Sequence, residues 1–140
     1  MNEELKNSVK QATGLFALKA NENNQGEHDV PTRRHVLDLT QDGLQIFGYE
    51  SGDLRSHGAD IFIKGLVKAG ETYAFKPDVV GGNYNPKEWT GRSWNGLGGE
   101  VKIDAVDVDS QTVKGSFTFT ARPLDNSQVA VISGTFNLKN

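Results

Sequence analysis

Apolar and polar residues alternate along most of this chain with a period of two, the spacing of strands that bury one face and wet the other. From Thr112 to Ala121, Val113, Gly115, Phe117, Phe119 and Ala121 fall on one side, and Thr112, Lys114, Ser116, Thr118 and Thr120 on the other. The segment 129–138 sets Ala130, Ile132, Gly134, Phe136 and Leu138 against Val129, Val131, Ser133, Thr135 and Asn137. Its second face turns polar only after Ile132, so its first half is expected to be covered on both sides. Between the two, Pro123, Asp125, Asn126 and Ser127 fix φ or cap a turn with their own side chains.

The same alternation predicts strands over 15–20, 33–40, 44–50, 59–67, 72–79 and 100–108. Asp42-Gly43 marks a hairpin between the second and third of these. Pro77 ends, bulges or edges the strand that contains it. Two stretches show no apolar period: the polar run Asn21 to Pro31, and a glycine-rich stretch over 80–99. Both read as long loops. Residues 1–13 hold the one helical candidate: Asn2 can cap it, Glu3 and Glu4 suit its first turn, Leu5, Val9 and Ala12 make one stripe, and Thr13-Gly14 stops it.

About eight strands joined by hairpin-length links predict an all-β antiparallel meander. Closure into a small barrel is expected, because a flat sheet with one greasy face would leave that face and two edges in water. A two-sheet sandwich is the alternative. At 140 residues the chain is read as a single domain, long enough to bury a core without staples. It has no cysteine, so disulfides, thiolate metal sites and cysteine nucleophiles are excluded. A net charge of −3 with no basic stripe beyond Arg33, Arg34 and His35 argues against a nucleic-acid partner. Neither a secretory leader nor an apolar run of membrane-spanning length is apparent. The expected location is therefore a soluble one, cytoplasmic or in a bacterial envelope after loss of a signal.

The run Val113-Lys114-Gly115-Ser116-Phe117-Thr118-Phe119-Thr120-Ala121, the closing Ser133-Gly134-Thr135-Phe136-Asn137 and the upstream Gly70-Glu71-Thr72-Tyr73 carry a resemblance. They are similar to the C-terminal part of an uncharacterised family of small bacterial β domains described as lipocalin-like, often lipid-anchored in the envelope of Bacteroidetes. The resemblance covers about the last 80 residues and implies a lipocalin-like barrel. The family brings no established activity, and this chain lacks its signal and lipid-acceptor cysteine.

One stretch reads as a candidate for more than folding: Asn83 to Asn95, which gathers Tyr84, Trp89, Arg92, Trp94 and Asn95. Flat aromatics beside amides and a guanidinium suit a saccharide or another small polar ligand. The competing reading is that the rings plug a barrel mouth or anchor the loop. Gly96-Leu97-Gly98-Gly99 lacks the following helix that a phosphate loop requires, so no nucleotide cofactor is expected. Asp104, Asp107 and Asp109 are the nearest approach to a local cation site, but their spacing is not that of an EF-hand, and they read as a solvated, self-capped turn. His28, His35 and His57 are too scattered for a local metal motif; folding would have to unite them, for instance His35 and His57 with Asp38 or Asp60. Ser93 lacks the strand-turn-helix setting of a nucleophile elbow. The residues thus point to a non-catalytic binding module, with a protein-interaction or structural subunit as the alternative and an enzyme last.

Overall fold

A computed structural model describes residues 11–140 except Leu54 and Thr90. The described residues form ten strands and no helix: β1 (Thr13–Glu22), β2 (Glu27–Val30), β3 (Arg34–Thr40), β4 (Gly43–Tyr49), β5 (Gly58–Lys64), β6 (Thr72–Ala74), β7 (Val80–Asn85), β8 (Trp94–Asp107), β9 (Thr112–Arg122) and β10 (Ala130–Lys139). All pairings are antiparallel, in the order β2-β1-β10-β9-β8-β7-β5-β4-β3, with β6 beside β8. No helix among the described residues is long and apolar enough to cross a membrane.

The two ends of this sheet, β2 and β3, are consecutive in the chain, separated by Pro31, Thr32 and Arg33. Proline has no N–H to give a ladder, so regular pairing pauses there. Across the gap the Thr32 hydroxyl donates to the Phe16 carbonyl, and Ala12 N donates to His35 O at 3.0 Å. The sheet is therefore curled on itself around one core, a barrel-like shell.

Strand phase decides what fills that core. Phe16, Leu18 and Ala20 of β1, Leu44 and Ile46 of β4, Ile61 and Ile63 of β5, Val101 and Ile103 of β8, Val113, Phe117, Phe119 and Ala121 of β9, and Ala130, Ile132, Phe136 and Leu138 of β10 are all buried. Phe117 sits at the aromatic centre, edge-on to Phe16 at 5.8 Å and stacked against Phe119 and Phe136 at 6.0 and 6.3 Å. Each such ring contributes roughly 1.5–3 kcal/mol on burial. The inward-facing Gly134 makes room for it, since a Cβ there would lie 2.6 Å from Phe117 Cζ and 2.7 Å from the Ala17 carbonyl oxygen.

The eight expected strands are all present, and two more appear. The polar run over 21–31 contains β2, and the stretch read as a loop over 80–99 contains β7 and the first six residues of β8. Both escaped the alternation rule because glycine and short polar residues carry no hydrophobic signal. The strand expected over 72–79 is only Thr72–Ala74, with Pro77 in the turn beyond it. The hairpin at Asp42-Gly43 is as expected, with Asp42 N bonded to the Thr40 hydroxyl at 3.0 Å. Val131, expected to be covered, is 51% exposed. The helix expected within 1–13 lies outside the described residues up to position 10; Gln11 and Ala12 are not helical, and Thr13 begins β1.

Gly134→Ala tests the packing account. Overpacking against Phe117 and a fixed carbonyl is expected to cost about 1–3 kcal/mol, read as a lower urea midpoint at unchanged m-value.

Candidate functional site

The neighbours β7 and β8 pair through two rungs only, Asn83↔Asn95 and Tyr84↔Trp94. Beyond them the strands separate, because β6 pairs with β8 and the chain after it lays Phe75 into the gap. Phe75 N donates to Gly99 O at 2.9 Å, and its ring stacks on Phe119 at 5.3 Å. A Cβ at Gly96 would stand 2.8 Å from that ring and 2.7 Å from Gly82 O, so this residue must be glycine for the wedge to fit. The separation leaves a cleft of about 520 Å³ in the wall, lined by Phe62, Phe75, Lys76, Asp78, Asn83 and Asn95 among others. That volume lies within the usual range for small-molecule sites.

Behind Asn83 lies Asp60, 9% exposed, which accepts from Asn83 Nδ2 at 3.3 Å and from the Tyr49 hydroxyl at 3.2 Å. Burial pushes the Asp60 carboxyl up to about 6, against the downward pull of those two hydrogen bonds. Burial first, and then the neighbouring carboxylate, raise the Tyr49 phenol.

A second polar group occupies one end of the core. Glu22 continues the inward series Phe16, Leu18, Ala20 of β1; His28 shares the phase of Val30 on β2; His57 that of Ala59 on the approach to β5; Tyr84 points inward from β7. Tyr84 OH donates to Glu22 Oε2 at 2.5 Å. His28 and His57 stack, with ring centroids 5.5 Å apart, and bring their Nε2 atoms to 3.3 Å. His57 Nδ1 lies 2.9 Å from the Asn85 carbonyl oxygen. A carbonyl can only accept, so Nδ1 carries a proton, and in the neutral form of this ring the bare lone pair of Nε2 is turned towards His28. Desolvation lowers the His57 pKa, while the Asn85 carbonyl and the Glu22 charge oppose it. One ligand atom from each of Glu22, His28 and His57 lies within 4.8 Å of the others, the one grouping of this kind among the described residues. Asn85, 2% exposed, ties the surrounding segments: its Nδ2 donates to Ser56 O at 3.1 Å, and its Oδ1 accepts from Ser93 Oγ at 2.6 Å.

The five residues expected to form one ligand site fall in four places. Tyr84 and Trp94, 0% and 1% exposed, pack edge-on at 5.8 Å inside the core. Asn95, one residue on, faces outward and lines the cleft. Arg92 edges a separate hollow beside Leu124 and Gln128, and Trp89 is 39% exposed on the connection. A two-residue period explains the split: neighbours on a strand face opposite sides. Buried Trp94 Nε1 has no hydrogen-bond partner among the described residues.

Asp104, Asp107 and Asp109 do not converge; Asp107 Oδ1 caps the turn by accepting from Asp109 N at 3.0 Å and Ser110 N at 3.3 Å. His35 is apart from the other histidines, its Nδ1 3.2 Å from Thr32 O, and His57 is joined by His28 and Glu22 rather than by His35, Asp38 or Asp60. Gly96 to Gly99 lie within β8 itself. The histidine cluster was missed because His28 sat in a segment read as loop; its signal is the continuation of each strand's inward phase by a polar residue. No protein-family model matches the chain, and neither a curated protein nor a solved structure shows significant similarity to it.

Asp60→Asn tests the electrostatics. Because the folded-state pKa is raised, stability associated with the protonated carboxyl is fully present below the unfolded value near 3.8 and is lost as pH rises through about 6. That loss is on the order of 3 kcal/mol above pH 6. The variant is expected to be more stable than wild type at pH 8, with a flatter stability profile between pH 4 and 7 in urea unfolding.

Proposed function

We propose that this chain is a non-catalytic binding module: a small, closed, lipocalin-like barrel that takes a small polar ligand, of the saccharide class, in the cleft between β7 and β8. The observation that carries this reading is the composition of the cleft. Phe62 and Phe75 offer ring faces, Asn83 and Asn95 offer amides on adjoining strands, and Lys76 and Asp78 stand at its edge. Ring faces beside planar donors and acceptors match the alternating C–H and O–H surfaces of a sugar ring. The backbone at Gly82 and Gly96 is fixed by neighbours that a side chain would strike. Such a site loses little entropy on binding.

The closed-barrel part of the proposal is supported by the chain's own connectivity. The strands at the two ends of the sheet follow one another through three residues; Ala12, just before β1, donates to His35 of β3, and Thr32, in the link between β2 and β3, donates to Phe16 of β1.

Titration against a panel of mono- and oligosaccharides and polar metabolites tests the reading, using Trp94 emission in a Trp89→Phe background together with calorimetry. A saturable ligand is expected, bound roughly 2- to 10-fold more weakly by Asn95→Ala, the loss of one neutral hydrogen bond. Absence of saturation across the panel, or binding indifferent to Asn95→Ala and Phe62→Ala together, overturns it.

A further inference from the structure

We propose that Glu22, His28 and His57 form a binding site for a divalent first-row transition-metal cation of the zinc type. The inference is independent of the cleft and rests on three features of the geometry.

The first is the distance between the imidazole nitrogens. Four ligands placed tetrahedrally at the usual zinc–nitrogen bond length of about 2.0–2.1 Å stand about 3.3–3.4 Å from one another. His28 Nε2 and His57 Nε2 are 3.3 Å apart, already one edge of such a tetrahedron. The Glu22 carboxylate completes a set whose ligand atoms all lie within 4.8 Å of each other, so a small adjustment of one side chain closes the face.

The second is the support behind the ligands. Metal-bound histidines commonly donate their other ring N–H to a carbonyl or carboxylate, which fixes the tautomer and aims the lone pair. His57 does this through Nδ1 to the Asn85 carbonyl oxygen at 2.9 Å. The Tyr84 hydroxyl holds Glu22 Oε2 at 2.5 Å, leaving the other carboxylate oxygen for a cation. Trp94 in turn packs edge-on against Tyr84, locking the phenol.

The third is position. The three ligands continue the inward phases of β1, β2 and β5, and their supporting Tyr84 that of β7, at one end of the core, where apolar side chains would bury more surface. His57 is buried, Glu22 half-buried and His28 exposed, so the site opens to solvent on the His28 side and a fourth ligand can be water. Two nitrogens and one carboxylate oxygen favour zinc, cobalt, nickel or copper over calcium and magnesium, which demand oxygen donors.

The test uses untagged, chelator-treated protein titrated calorimetrically with Zn²⁺, Co²⁺, Ca²⁺ and Mg²⁺, and the visible absorption of the Co²⁺ form. Expected are one equivalent of Zn²⁺, the intense d–d bands of four-coordinate Co²⁺, and no saturable response to Ca²⁺ or Mg²⁺. His28→Ala, an exposed position whose loss leaves the core intact, is expected to abolish the one-equivalent site and the cobalt bands. Tyr84→Phe is expected to weaken binding about 10- to 100-fold, the usual effect of losing an outer partner. His35→Ala and the cleft variant Asn95→Ala are expected to bind as wild type does, so failure of the cleft reading leaves this one standing. Absence of a one-equivalent site, or a site that survives His28→Ala, overturns the proposal and reduces the Nε2 contact to a hydrogen bond between imidazoles.

Discussion

The structure depends on one constraint: a sheet built from strands with one greasy face must turn that face inward on itself, because the described residues supply no second layer to cover it. The chain solves this by making the first hairpin do two jobs. β1 pairs with β10 along its whole length and with β2 at its far end, while β3, the continuation of β2 past Pro31, reaches back toward the residues that open β1. The curvature then sets the interior volume, and the interior volume sets the side chains. Phe117 and its aromatic neighbours fill the middle, and glycine at position 134 admits them.

Strand phase carries the same logic to the ends of the core. A strand cannot choose the direction of one side chain without choosing that of every second one. Where β1 extends past Ala20, its next inward residue is Glu22, and where β2 begins, its inward residue is His28. Their convergence with His57 and Tyr84 follows from register as much as from loop conformation. The turn between them is itself held: Gly26 N donates to Asn21 Oδ1 at 3.1 Å, and Val129 N, just before β10, donates to Asn23 Oδ1 at 3.0 Å.

Much of this architecture is written in the alternation, and the residues that were not legible share a physical cause. Val113 to Ala121 and Ala130 to Leu138 announce their faces because large apolar side chains recur every second position. β7 reads Val80-Gly81-Gly82-Asn83-Tyr84-Asn85, with an interior phase of Val80, Gly82 and Tyr84, and the middle one has no side chain to register. The glycines that looked like loop punctuation are there because a Cβ would strike the Phe62 ring at position 81, the Asp60 carbonyl oxygen at position 82, and the Gly82 carbonyl oxygen and Phe75 ring at position 96. Misreading β7 and β8 as one loop also merged residues that a strand must separate. Trp94 and Asn95 are adjacent in sequence and lie on opposite sides of the wall. The pairing of His28 with His57 was equally out of reach, since it depends on which strands are neighbours, and composition carries no such information.

That separation has a consequence for the two proposed sites. The only ladder between β7 and β8 is the pair of rungs Asn83↔Asn95 and Tyr84↔Trp94. The first rung presents both its amides to the outer cleft, and the second presents both its rings to the interior, where Tyr84 holds Glu22. Tyr84 is followed by Asn85, whose carbonyl orients His57 and whose side chain joins Ser56 to Ser93. A displacement of β7 against β8 that widened the cleft would therefore carry Tyr84 and the Asn85 carbonyl with it. Those groups aim two of the three candidate ligands, so one short ladder sets the geometry on both faces of the wall. The tight packing of Phe75 on Phe119 beside it resists such a movement, which is what keeps the two faces in a fixed relation.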